Sequence, residues 1–287
     1  MQIIDGRKIQ KDILEKIKSE VVALPFQPVF CDVLVGDDPA SAQYVRMKGK
    51  TAESVGIKFH NANFPNSITT EELIKEIENL NKMPNMCGVI IQLPLPTHIA
   101  RQQVMDAIDP RIDVDCLGTS RGEKFYNGDT TLGFPTALAC MELLDSVGMG
   151  LENKKIVVLG QGALVGKPVT ALLNFRGLAP QVINSKTENS TELIKDADVI
   201  ISGMGKGKYI TGEMIKDGAI IIDAGTSEMS GGIVGDVELD LVANVAGFVS
   251  PVPGGVGPVT VAMLLKNVLT VAKSLGKTRD DFAKSNI

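Results

Sequence analysis

Ser41, Tyr44 and Lys48 fall at i, i+3 and i+7 on a predicted helix that follows Asp37-Asp38-Pro39. Asp38 suits the N-cap, because its carboxylate accepts a backbone N–H of the first turn, and Pro39 suits the first helical position, where the missing N–H costs nothing. The three side chains therefore share one face. An amine on such a face becomes useful when a neutral partner holds it, and Gln92 is the candidate: it ends the apolar run Gly88-Val89-Ile90-Ile91 and precedes Leu93-Pro94-Leu95-Pro96. Ligands of open α/β sheets bind beyond strand C-termini, so Gln92 and Lys48 are expected to converge. An amide holds an amine without the charge of an acid partner, which suits Lys48 to proton transfer. A solvated surface charge is the usual role of a helical lysine, and spacing alone does not separate the two.

Asp113-Val114-Asp115 follows Asp109-Pro110. One aspartate of such a pair ordinarily caps or turns the backbone. Asp115 is the alternative: a carboxylate's two oxygens match the N–H edge of a planar amino-oxo heterocycle. Further along, Ile156 to Leu159 runs into Gly160-Gln161-Gly162 and reaches Gly166 at a helix start. A strand, a glycine turn and a helix N-terminus place backbone N–H groups where a pyrophosphate sits. At the end of the next strand the chain reads Asn184-Ser185-Lys186-Thr187, without the carboxylate that holds the ribose hydroxyls of NAD. Lys186 can meet a 2′-phosphate instead, which tilts the expected cofactor to NADP, with NAD as the alternative. Residues 251–258 hold three glycines and three prolines in eight positions. Such a segment offers its backbone to a bound molecule or simply makes a tight turn.

The elements that must position these groups alternate. Ile9, Ile13, Ile17 and Val21 mark a first amphipathic helix, an apolar run spans Val29 to Val35, a helix reaches about Val55, a strand lies around Ile57 to Phe64, and a helix starts near Thr70. After a less regular stretch from Asp109 to Gly133, a helix near Ala137 to Val147 leads into a second series of strands around Lys155–Leu159, Gln181–Asn184, Val199–Ser202 and Ala219–Asp223. This rhythm predicts parallel sheets covered by helices. The chain of 287 residues suits two domains. We expect an α/β substrate domain over 1–140 and 266–287, and a Rossmann-like domain over 141–265.

A net charge of −5 without a basic stripe argues against nucleic acid, and no apolar run in the sequence approaches a membrane span. The N-terminal residues lack signal-peptide order, so a cytoplasmic protein is expected. Cys31, Cys87, Cys116 and Cys140 form no C-x-x-C pair, and no metal is expected. His60 and His98, the only histidines, pair with no Ser or Cys at a recognisable spacing.

In order, Val35-Gly36-Asp37-Asp38-Pro39-Ala40-Ser41 with Tyr44-x-x-x-Lys48, Gln92-Leu93-Pro94-Leu95-Pro96, Asp113-Val114-Asp115, Val165-Gly166-Lys167-Pro168 and Pro251 to Pro258 resemble the bifunctional methylenetetrahydrofolate dehydrogenase/cyclohydrolase family. The resemblance implies two α/β domains with a cleft between them, and a homodimer. It implies oxidation of 5,10-methylenetetrahydrofolate with NADP, then hydrolysis of the methenyl product to 10-formyltetrahydrofolate. By resemblance Lys48, Gln92 and Asp115 are catalytic, Ser41, Tyr44, Pro253, Gly254 and Gly255 hold the folate, and Gly160, Gln161, Gly162, Ser185, Lys186 and Thr226 hold the dinucleotide. The chain departs from the family pattern at Cys116-Leu117-Gly118-Thr119, Phe134-Pro135-Thr136-Ala137, Gly160-Gln161-Gly162, Asn184-Ser185-Lys186 and Gly225-Thr226-Ser227. Cofactor contacts are thus altered more than folate contacts. The competing readings are a cyclohydrolase with a weakened or NAD-dependent dehydrogenase, and a folate-binding homologue without catalysis.

Overall fold

The computed structural model describes residues 1–229 and 231–285, with side chains to residue 277. The chain divides into two compact units, Met1–Lys11 with Phe134–Met263, and Asp12–Gly133 with Leu264–Ile287. The expected boundaries at 140/141 and 265/266 lie a few residues away. Residues 1–11 join the nucleotide-type unit, because the strand Gln2–Ile3 pairs in parallel with Phe248–Val249.

That unit holds a six-stranded sheet in the order Gln2–Ile3, Phe248–Val249, Ile220–Asp223, Val199–Ser202, Ile156–Leu159, Gln181–Ile183. All its pairings are parallel. Strands such as Ile-Val-Val-Leu and Ile-Ile-Ile-Asp are buried at every position, as expected where helices cover both faces. Ile156–Leu159, the first strand of this series, sits between the second and the third. The strand order therefore reverses at its C-terminus, where open α/β sheets bind ligands.

The other unit is built on a three-stranded parallel sheet in which Val29–Val35 lies between Lys58–Phe64 and Met86–Ile91. All seven residues of the central strand are buried, and one of them is Asp32. The helix Pro39–Ser54 starts as predicted, with Asp38 accepting the Ser41 N–H at 2.7 Å. The helix Thr70–Asn81 carries a capping box between Thr69 and Glu72.

Two helices also differ from expectation. A helix, Thr119–Tyr126, lies inside the stretch read as irregular. It is started by Asp106, which accepts the Thr119 N–H at 2.7 Å, a contact 13 residues distant that local patterning does not show. The last helix begins at Val256 and not at Thr260, and runs to Ser285. Its stretch Val256–Lys277 is long and apolar enough to cross a membrane, which the sequence reading missed, but 67% of its most apolar window is buried within the protein. A helix apolar around its girth and covered by protein reads as a core helix.

Candidate functional site

The helix Pro39–Ser54 carries Lys48 into the protein until only 4% of the residue is exposed. Its Nζ donates to Gln92 Oε1 at 2.8 Å and lies 4.9 Å from the centroid of the Tyr44 ring. Gln92 is fixed at both ends, since its backbone N–H donates to Val33 O at 2.8 Å and its Nε2 to Leu93 O at 2.6 Å. With Nε2 engaged, Oε1 is the atom left to face the amine. Ser41 is buried on the same helix, and Tyr44 is 36% exposed. Ser41, Tyr44, Lys48, Gln92 and Asp115 all belong to one unit.

The amine is not free of acids, contrary to expectation. Lys48 Nζ lies 2.6 Å from Asp32 Oδ2, and both side chains are buried. The contact is at ion-pair distance, and among the described residues the Asp32 oxygens have no other polar partner. Burial pushes the Asp32 carboxyl up from its ordinary range, and the charge of Lys48 pulls it back. Asp32 stands inside a strand read as simply apolar, and the pairing of Val33 with Ile91 sets this strand beside Met86–Ile91, which leads directly into Gln92. An acid in an otherwise apolar strand was the signal available, since buried charges are rare unless paired.

The two aspartates of Asp113-Val114-Asp115 separate in role. Asp113 takes the turn, with Oδ2 accepting the Gly118 N–H at 2.8 Å in a buried position. Asp115 is half-buried, and desolvation pushes its carboxyl up to about 7 while Lys48 lowers it. The loop is held by Asn267, whose Nδ2 donates to Val114 O at 2.8 Å and to Gly133 O at 2.7 Å. Cys116 is buried and its thiol is pushed up by desolvation, which removes it as a nucleophile.

In the other unit, Gly160 adopts φ +84°, and a Cβ there would lie 2.8 Å from Gly203 O. A Cβ on Gly166 would overlap the carbonyl oxygen of Gly160. Both positions therefore require glycine, and the loop closes tightly over the N-terminus of the helix Gly166–Phe175. The Gln161 side chain is tied down, donating to Gly160 O at 2.8 Å and Thr170 Oγ1 at 3.2 Å. Gly162 is exposed, as are Ser185, Lys186 and Thr226. The turn carrying Ser185 and Lys186 is set by Asn184, whose Oδ1 accepts the Lys186 N–H at 2.9 Å. A bare glycine turn at a helix N-terminus, with an exposed lysine after the next strand, fits a phosphorylated dinucleotide.

Thr226 lies between two buried acids, Asp223 and Asp236, that the sequence reading did not assign. Asp236 accepts from Ser202 Oγ at 2.6 Å and from the N–H groups of Met204 and Lys206 at 2.8 and 2.6 Å. Asp223 accepts from the N–H groups of Gly225, Asp236 and Val237 at 2.9, 3.1 and 2.9 Å. These contacts are structural, tying together the loops that follow Ser202 and Asp223. The Pro253-Gly254-Gly255 turn lies in this unit as well. Gly254 has φ +112° and Gly255 N donates to Pro251 O at 2.7 Å. Gly6 packs so closely here that a Cβ on it would overlap Gly255 O.

Two of these buried acids also tie stability to pH. Asp113 and Asp223 are each raised by desolvation from 3.8 to about 6. Folding therefore favours their protonated forms, and the stability they contribute is present below about pH 4 and lost as pH rises through about 6. At 1.36 kcal/mol per pH unit each accounts for up to about 3 kcal/mol. Exposed carboxyls lowered by hydrogen bonds, Asp38 and Glu72 among them, act oppositely below pH 4. The urea midpoint is expected to fall between pH 5 and pH 8, with a shallower fall in Asp223→Asn. A flat or rising midpoint over that interval would contradict this assignment.

Two family models match the chain: the tetrahydrofolate dehydrogenase/cyclohydrolase catalytic domain over residues 4–115, and the NAD(P)-binding domain of the same name over residues 135–275. The bifunctional protein FolD of a Nitratiruptor species is 41% identical over 277 residues, covering 95% of this chain and 98% of its own. Among solved structures, the bifunctional methylenetetrahydrofolate dehydrogenase/cyclohydrolase FolD of Campylobacter jejuni superimposes with a TM-score of 0.92 at 34% identity, over 96% of this chain and 99% of that one. The Trypanosoma brucei enzyme, complexed with NADP cofactor and inhibitor, gives 0.90 at 35% identity, over 95% and 97%.

Proposed function

The chain belongs to the tetrahydrofolate dehydrogenase/cyclohydrolase family, and from that premise we propose how its own residues divide the two reactions of a methylenetetrahydrofolate dehydrogenase and methenyltetrahydrofolate cyclohydrolase. The observation that carries the reading is the buried ammonium of Lys48, held by the Gln92 amide beneath the Tyr44 ring.

In the first reaction a hydride leaves the methylene carbon of 5,10-methylenetetrahydrofolate. NADP supplies the acceptor when bound. The flanking folate nitrogens stabilise the resulting cation, so the protein's task is to hold donor and acceptor in place. Asp115 grips the N–H edge of the pterin, Tyr44 stacks on the folate, and Ser41 completes the substrate contacts of the unit the three share. Gly160, Gln161, Gly162, Ser185, Lys186 and Thr226 hold the dinucleotide through backbone and polar groups.

In the second reaction water adds to the methenyl carbon, one C–N bond breaks, and one proton is released overall. Lys48 moves the proton: its ammonium protonates the departing nitrogen and recovers a proton from the added water. Gln92 keeps Nζ at that place. General acid/base transfer of this kind is worth about 10²–10⁴-fold.

The test is a pair of assays on the purified protein, reduction of NADP or NAD with 5,10-methylenetetrahydrofolate, and hydrolysis of 5,10-methenyltetrahydrofolate. Both activities are expected, and absence of both would refute the reading. Lys186→Gln is expected to weaken NADP by roughly 10–100-fold, the loss of one charge-assisted contact of about 1.5–3 kcal/mol, and to leave NAD unchanged. Equal losses for the two cofactors would remove Lys186 from the 2′-phosphate. The proposal includes a cytoplasmic homodimer, and sedimentation velocity at micromolar protein tests the assembly.

A further inference from the structure

Lys48 and Asp32 form an ion pair at 2.6 Å in which the lysine side chain is 5% exposed and the aspartate 0%. A bare buried charge is costly, and the pair persists because each ion offsets the other. The amine thus stands in a locally neutral site although it carries a proton. That neutrality bears on the substrate, because of the two folates the protein handles, the methenyl form has a positive one-carbon unit and the methylene form a neutral one.

An ammonium without a counter-charge would repel the methenyl cation, and the repulsion would be felt strongly where water is scarce. Asp32 cannot reach substrate through its own oxygens, since it lies within a strand paired on both sides and has no exposed surface. Its effect passes through Lys48. Other charged groups bear on the site: Asp115, which senses both Lys48 and Asp32, and Arg101, which acts on Asp115. Tyr44 is neutral and senses Asp115 and Asp32.

We infer that Asp32 is the counter-charge that lets a cationic one-carbon unit bind beside a protonated Lys48, and so sets the preference for the methenyl over the methylene folate. Asp32 is a positioning residue on this account, and the inference rests on the folate reading above. A purely structural acid would affect both folates alike.

The experiment compares binding of methenyl and methylene tetrahydrofolate to the purified protein and to Asp32→Asn at one fixed pH. The variant is expected to lose at least tenfold in methenyl affinity, about 1.4 kcal/mol, and less than twofold in methylene affinity. Equal changes, or no change, would overturn the inference. Should Asp32→Asn fail to fold, the double variant Lys48→Met with Asp32→Val replaces the pair by apolar residues, an exchange that is often neutral or stabilising. With local charge still zero, its methenyl-to-methylene affinity ratio is expected within twofold of the parent, and a tenfold fall would overturn the inference. The parent protein decides the rest: no folate activity there sinks the folate reading, whereas an active parent with an unchanged ratio in the Asp32→Asn variant sinks the role of Asp32 alone.

Discussion

Lys48→Met is expected to slow methenyltetrahydrofolate hydrolysis by about 10²–10⁴-fold, the usual worth of a positioned proton carrier, while oxidation of methylenetetrahydrofolate falls far less. The asymmetry follows from the chemistry: hydrolysis moves protons as the C–N bond breaks, and hydride transfer mainly needs alignment. The substitution also strands Asp32, whose ion-pair partner is the lost ammonium. Breaking a buried pair by removing one partner costs about 3–5 kcal/mol, less if the orphaned acid takes up a proton. Steady-state rates for both reactions, with a urea titration on the same sample, separate the two effects. Hydrolysis within threefold of the parent would show that the proton is carried by some other group.

Gly166→Ala is the complementary change. A Cβ at this position would overlap the Gly160 carbonyl oxygen, which is backbone and cannot rotate aside. The glycine turn must open, and the N-terminus of the helix Gly166–Phe175 moves away from the loop. Oxidation with NADP is expected to fall roughly 100-fold in kcat/KM, about 2.7 kcal/mol. Hydrolysis is expected to stay within threefold, since Lys48, Gln92 and Asp115 belong to the other unit. Rates measured side by side decide it, and a parallel loss of both activities would mean that the substitution unfolds the protein or that the loop serves hydrolysis too.

The sequence was most legible where a local rule forces geometry. Asp38 and Pro39 announce a helix start, and the helix then carries Ser41 and Lys48 inward at the spacing the residues display. Gln92 was legible because it directly follows a buried strand, and strand ends are where such sheets place ligands. The glycine turn at residues 160–166 was legible because a backbone that tight excludes side chains. What remained hidden depends on partners far along the chain. Asp32 looks like one polar residue in an apolar run until the sheet sets it against a helix residue 16 positions later. The helix Thr119–Tyr126 is begun by Asp106, and the strand Gln2–Ile3 finds its partner at Phe248–Val249. Neither contact leaves a periodic trace. The separation of Asp113 from Asp115 was likewise open, because either carboxylate could have taken the Gly118 N–H that the fold gives to Asp113.

The central claim is that one chain passes a single carbon atom from the methylene through the methenyl to the formyl state. Incubating the purified protein with NADP and 5,10-methylenetetrahydrofolate labelled with ¹³C at the one-carbon unit, and following that carbon by NMR, tests the claim directly. The account predicts that the label finishes as the formyl group of 10-formyltetrahydrofolate at a rate that falls with Lys48→Met. Label that stays in the methylene group, or that accumulates as methenyl at the uncatalysed rate of hydrolysis, would contradict it.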